Sequence, residues 1–244
     1  MERIKIVMQY DGADFCGFQI QPNKRTVQGE IEKILSFLLK EDVKIYASGR
    51  TDAGVSAFAQ VAHFDTEKEI NEKSLLSSLN ALLPNDVAII DVKKVGLDFD
   101  ARFSVKQKTY HYKFYVSKFD MPLFKDALRI NDYADVGLMQ EACKYLLGTH
   151  NFESFVARKS GKTDFVRTIY DAKIISLGDG LFAFEITGNG FLYNMVRIIF
   201  GTLLSVAYKK IKPEYIKTII EARDRQKAGK TMPAYALLMK KVGY

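Results

Sequence analysis

FLYNMVRIIFGTLLSVAY, residues 191–208, is the stretch on which the fold class turns, because it comes nearest to a membrane span. Asn194 and Arg197 fall inside its apolar face, and a bilayer would leave an amide and a guanidinium in hydrocarbon. The run therefore reads as a buried helix of a folded domain. Met195, Val196, Ile198, Ile199 and Phe200 surround Arg197. A buried, unpaired guanidinium costs several kcal/mol. Arg197 is expected to meet a carboxylate, the alternative being that it snorkels to water at a sheet edge.

Upstream of this helix, residues 165–177 and 181–187 read as a hairpin around Gly178-Asp179-Gly180. The link Gly188-Asn189-Gly190-Phe191 lacks the third glycine of a dinucleotide-binding loop, since Tyr193 stands there. It reads as a strand-to-helix turn whose helix N-terminus suits a phosphate. Further back, residues 108–116 form a strand with Tyr110, Tyr112 and Phe114 on one face, and residues 135–147 a helix. Downstream come a helix at 213–225 and a last strand at 237–242, giving the order βαββααβ.

The first half has nearly the same order. Strands are expected at 3–10, 43–47, 60–65 and 87–95. One helix follows Thr26 with Val27, Ile31, Ile34, Leu35 and Leu38 at helical spacing. Another follows Asn71 with Leu75, Leu76, Leu79 and Leu82. This βαββαβ order is the split βαβ unit. The expected fold class is α+β, with two ferredoxin-like halves, residues 1–104 and 105–244, the second carrying an added helix. Their sheets are expected to be antiparallel or mixed, joined across a central cleft, with helices on the outer faces.

The chain has 244 residues, with 36 Lys and Arg against 29 Asp and Glu, a formal charge of +7. That balance favours a polyanionic partner such as nucleic acid, although many basic proteins bind none. Arg3, Lys5 and Gln9 break up the early apolar residues, so no signal peptide is expected. Cys16 and Cys143 show no paired spacing and suit a reducing compartment, the cytoplasm. His63, His111 and His150 lack metal-ligand spacing, and there is no Walker loop or G-x-S-x-G, so no metal, nucleotide or other cofactor is expected.

Ser48-Gly49-Arg50-Thr51-Asp52-Ala53-Gly54 joins two expected strands and is longer than a tight hairpin needs. Its residue types are those of an ordinary turn, and nothing local separates a catalytic carboxylate from a turn-forming one. If Asp52 is the carboxylate that meets Arg197, the pairing would keep it ionised and make it a candidate nucleophile. Tyr110, early in its strand, could stack on an extruded base. Lys24, Arg25, Arg158, Lys159 and Lys162 lie in expected loops, as RNA contacts or as plain solvated surface.

These segments together resemble the TruA family of tRNA pseudouridine synthases. The resemblance runs through Tyr10-Asp11-Gly12, Phe15, Gly17-Phe18-Gln19, Thr26-Val27-Gln28, Gly49-Arg50-Thr51-Asp52-Ala53-Gly54-Val55, and Gln60-Val61-Ala62-His63-Phe64. It continues through Asn80, Leu83-Pro84, Asp86, Ala101-Arg102-Phe103-Ser104, Tyr110, Tyr112 and the block from Gly188 to Arg197. It implies an enzyme that isomerises uridine to pseudouridine in the anticodon stem-loop, at tRNA positions 38 to 40. By that resemblance Asp52 is the nucleophile and Arg50 displaces the target base. Tyr110 packs on the uracil and can move the C5 proton, and Arg197 pairs with Asp52. A homodimer acting on tRNA, with no membrane, is implied too. Phe18, Ser56 and Asp100 depart from the family pattern, and Met232-Pro233-Ala234-Tyr235-Ala236-Leu237 only partly matches its C-terminal motif. A divergent paralogue acting on another RNA, a non-catalytic RNA-binding module and an RNA hydrolase are the alternatives.

Overall fold

The computed structural model describes residues 1–157 and 164–244. The chain divides into two compact units, residues 1–106 with 238–244, and residues 107–237.

In the first unit, β1 (Glu2–Tyr10) lies between β4 (Val87–Val95) and β3 (Ser56–Thr66), antiparallel to both. The far edge of β3 takes β2 (Tyr46–Ala47) antiparallel, so the order β4-β1-β3-β2 is that of a split βαβ unit. Helices α1 (Val27–Leu39) and α2 (Glu72–Leu82) begin where expected. Thr26 Oγ1 accepts from the Gly29 N–H at 3.3 Å and Asn71 Oδ1 from the Ser74 N–H at 3.0 Å. Alternation puts Ile4, Ile6 and Met8 of β1 in the core, where Val27, Ile31, Leu35, Leu75 and Leu79 of the helices are also buried. A bulge opposite Val7 and Met8 leaves Ile90 without a partner in the ladder. Val92 and Ile89, three apart, thus both reach the buried face while Ile90 is exposed.

Strand β2 is shorter than the expected 43–47. Side chains of α1 take the backbone N–H groups that a longer ladder would use. Ser36 Oγ accepts from Val43 at 3.0 Å, and the buried Glu32 carboxylate from Ile45 at 2.9 Å. The start of β3, away from the stretch that β2 covers, takes the chain's last strand, β10 (Leu237–Gly243), parallel at Leu238↔Ser56 and Met239↔Ala57. Residues 238–244, expected in the second half, thus belong to the first unit. Gly243 accepts the Lys106 N–H at 2.9 Å, and the Tyr244 hydroxyl donates to the Ala101 carbonyl at 2.7 Å. Its ring lies 5.0 Å from that of Phe99.

In the second unit, β5 (Gln107–Val116), β9 (Leu181–Gly188), β8 (Val166–Gly178) and β7 (Gly148–Asn151) form an antiparallel run in that order. The three-residue β6 (Leu128–Ile130) lies parallel to β5. The helix expected at 135–147 is α3 (Val136–Cys143), capped by Asp135, then tightens into a 3-10 turn at Lys144–Leu146. The helix expected at 191–208 is α4 (Met195–Ala207), which starts four residues later and is buried at every position except Arg197 and Ser205. Phe200 of α4 stacks on Tyr112 at 4.2 Å and meets Phe114 and Phe184, so the aromatic face of β5 is core. Helix α5 (Tyr215–Ala222) follows. Residues 224–232 then run back along α4, so close that a Cβ on Gly201 would fall 2.1 Å from the Lys230 carbonyl oxygen. Among the described residues, no helix is long and apolar enough to cross a membrane.

Candidate active site

Residues 48–55 are seated from below by β3. Gln60 has no exposed surface. Its amide donates to the Gly49 carbonyl at 2.8 Å and its oxygen accepts from the Ser48 hydroxyl at 2.5 Å. The Ser48 N–H donates to Val61 O at 2.8 Å. Tyr10, the last residue of β1, shares a 2.8 Å hydrogen bond with the Thr51 hydroxyl. Burial pushes the Tyr10 phenol up to about 12, against the opposing pull of its bonds to Thr51 and Gln60. It therefore stays neutral at any physiological pH.

Residues 12–18 lie against the other side of the loop. The Phe18 N–H donates to Thr51 O at 3.1 Å, the Gly54 N–H to Phe15 O at 3.4 Å, and the Val55 N–H to Asp52 O at 3.1 Å. The approach demands glycine at two points. A Cβ on Gly12 would sit 2.2 Å from Val55 O. Gly17, at φ +96°, would bring one 3.0 Å from Thr51 O. Asp52 is half-buried between fixed neighbours, while Arg50 points outward with Nη1 donating to Gln19 Oε1 at 2.6 Å.

Arg25 braces residues 12–18. Its guanidinium lies 4.2 Å above the Phe15 ring, donates to both Asp86 oxygens at 2.6 and 2.8 Å, and reaches Glu30 at 3.1 Å. The hydrogen bonds from Arg25 hold the Asp86 carboxyl below its ordinary range. The charge expected to meet RNA is thus engaged by two carboxylates of its own chain. Lys24 is exposed on the adjoining turn. Arg158, Lys159 and Lys162 lie outside the described residues. The three positions that depart from the family pattern have local duties. Phe18 is buried, Ser56 Oγ accepts from the Gly12 N–H at 3.0 Å, and Asp100 Oδ1 accepts from the Arg102 and Phe103 N–H groups at 2.7 and 2.8 Å.

Tyr110 and Arg197 belong to the second unit. Tyr110 sits in β5 opposite Ile186, only 9% exposed. Its ring meets that of Phe191 edge-on at 5.1 Å and 81°. Gly188 lets the Phe191 turn close, since a Cβ there would lie 2.7 Å from Thr168 O. The helix begins only at Met195, so the tight strand-to-helix turn expected at Gly188–Phe191 is instead the first part of a longer link, residues 189–194. Arg197, half-exposed on α4, is held on both sides. Nε donates to Met232 O at 2.6 Å and Nη1 to Asn194 Oδ1 at 2.7 Å.

The sequence reading missed Gln60, Tyr10, Asn194 and Met232 as supports. Gln60 carried a signal, an amide in an otherwise apolar part of β3. The Met232 contact is made by a backbone carbonyl and left no trace in the sequence.

Comparison with known proteins gives the same answer along the whole chain. The family model described as tRNA pseudouridine synthase matches residues 6–104 and 142–244. A protein of Anoxybacillus flavithermus named tRNA pseudouridine synthase A is 47% identical over 245 residues, covering 100% of this chain and 99% of its own. Proteins of the same name from Bacillus subtilis and Caldicellulosiruptor saccharolyticus are 46% and 44% identical. The coverage is 99% of each chain for the first and 100% of each for the second.

Proposed function

Because the chain belongs to the tRNA pseudouridine synthase family, we propose that it isomerises uridine to pseudouridine in tRNA with Asp52 as the nucleophile. The observation that carries the assignment to Asp52 is its seat. It is a half-buried carboxylate on a loop locked by Gln60, Tyr10 and residues 12–18. A nucleophile held this way needs little reorganisation before attack.

The reaction breaks the C1′–N1 bond of uridine, forms a C1′–C5 bond, releases the C5 proton and leaves a proton on N1. A uridine in a stem is reached only after it leaves the stack, at a cost of a few kcal/mol. Phosphate contacts on a basic surface offset that cost, and Arg50 occupies the vacated place. Asp52 attacks at C6 of the base or at C1′ of the ribose. Arg197 serves as its counter-ion and keeps it ionised. The edge-on Phe191 contact supports Tyr110 as the wall that holds the freed uracil while it turns. The substrate uridines are those at positions 38 to 40, the working unit is a homodimer in the cytoplasm, and Lys24 is among its RNA contacts.

The test is tritium release from tRNA labelled at C5 of uridine. Wild type releases it, and a folded Asp52→Asn that still binds tRNA does not. Release at the wild-type rate by Asp52→Asn would remove Asp52 from the chemistry. Binding without release by the wild type would make the chain a non-catalytic RNA-binding module.

A further inference from the structure

Asn194 stands directly before α4, where an asparagine ordinarily caps the helix by accepting an N–H from the first turn. It makes no such bond. Its backbone is left-handed, φ 61° and ψ 6°, a region sparsely used by residues other than glycine. Its side-chain oxygen accepts instead from Nη1 of Arg197 at 2.7 Å.

The opposite edge of the same guanidinium is held by the Met232 carbonyl, which accepts from Nε at 2.6 Å. The segment carrying that carbonyl is itself fastened to α4. The Gly229 N–H donates to Thr202 Oγ1 at 2.8 Å, and Arg225 Nη1 donates to the carbonyls of Ala228 and Gly229 at 3.3 and 2.9 Å. Gly201 supplies the room it needs. A guanidinium is a rigid plane, so two acceptors on separate segments, one at Nε and one at Nη1, fix both its plane and its heading. A polar side chain has given up capping its own helix, in a strained backbone, to provide one of those two points.

We propose that Asn194 is a positioning residue for the isomerisation, orienting the Arg197 guanidinium with the help of the Met232 carbonyl. This rests on the reading of Arg197 as the counter-ion of Asp52. Pre-set orientation matters because a flexible arginine would spend rotamer freedom each time it engaged the carboxylate.

Asn194→Gly keeps the left-handed backbone without steric cost and removes only the acceptor. Its single-turnover isomerisation rate is expected to fall about tenfold or more, the worth of a hydrogen bond to a charged group, with tRNA affinity unchanged. Asp179→Gly, at another left-handed position with φ 51° in the β8–β9 turn, is the control and keeps the wild-type rate. The same Asn194→Gly change is then made in Arg197→Lys, which has no Nη1. There it alters the rate by less than about twofold, because the partner it acts through is gone.

An unchanged rate in Asn194→Gly, an equal loss in both backgrounds, or loss of the fold in Asn194→Gly would each overturn the proposal. Should Arg197→Lys turn over too slowly to time, the Arg197 side-chain NMR signals decide. Free rotation of its Nη groups in Asn194→Gly and restricted rotation in wild type is the expected result, and equal restriction in both overturns it. A wild-type rate in Arg197→Lys alone would instead defeat the counter-ion reading, and that result is independent of Asn194.

Discussion

Gln60→Leu removes the side chain that ties the start of the Asp52 loop to β3 while keeping most of the buried volume. Gln60 has no exposed surface, and its amide bonds the Ser48 hydroxyl at 2.5 Å and the Gly49 carbonyl at 2.8 Å. Each bond contributes about 1 kcal/mol net, but a buried polar group that loses its partner costs about 1–3 kcal/mol. The leucine recovers less than about 1 kcal/mol through its additional apolar surface. The balance is a destabilisation of about 2–4 kcal/mol. Urea unfolding followed by far-UV circular dichroism reads it, the chain having no tryptophan to report. A domain of ordinary stability survives such a loss, so the isomerisation rate of the folded variant can be compared with wild type. That rate is expected to fall as well, because Asp52 lies three residues beyond Gly49. A stability change under about 1 kcal/mol, or an unaltered rate in the folded variant, would refute the idea that Gln60 seats the loop.

Gly12→Ala places a methyl 2.2 Å from the Val55 carbonyl oxygen, backbone against backbone, so residues 12–18 must move off the loop. A fall in both thermal midpoint and turnover is expected, and a neutral result would mean that the two segments slide without consequence. The Arg25 bonds lower the Asp86 carboxyl, so its stabilising contribution is present above the unfolded value of 3.8 and is lost as pH falls through the lower folded value. Wild type should therefore exceed Asp86→Asn in stability near neutrality and lose that margin on acidification. A margin independent of pH, measured by denaturant titrations from pH 7 down to about 3, would assign it to packing instead.

The elements were legible wherever their cause is local. Thr26 and Asn71 cap helices because a side-chain oxygen reaches an N–H three residues on, and that spacing is written in the chain. The alternation of Ile4, Ile6 and Met8 marks β1 for the same reason, and the residues around Arg197 marked α4 as a buried helix. The Asp52 loop could be located but not understood from its own residues, which are those of any turn.

Partners drawn from distant segments were decided by folding. Strand β2 is short because Ser36 and Glu32 compete for its N–H groups, a competition that periodicity does not record. Residues 238–244 join the first unit because the start of β3 pairs with a parallel strand from the far end of the chain, a pairing that no local pattern records. Arg25 looked like a surface cation until the fold brought Asp86 beside it from 61 positions away. Asn194 read as an amide inside an apolar helix face until the fold gave its oxygen to the guanidinium of Arg197. The sequence by itself determined most of the strands and helices, since they depend on residue type and short spacing, and it singled out Asp52, Arg50, Tyr110 and Arg197 as candidates. Only the tertiary structure decided how those chemical groups are held, because a hydrogen bond depends on distance and direction in space, whatever the separation along the chain.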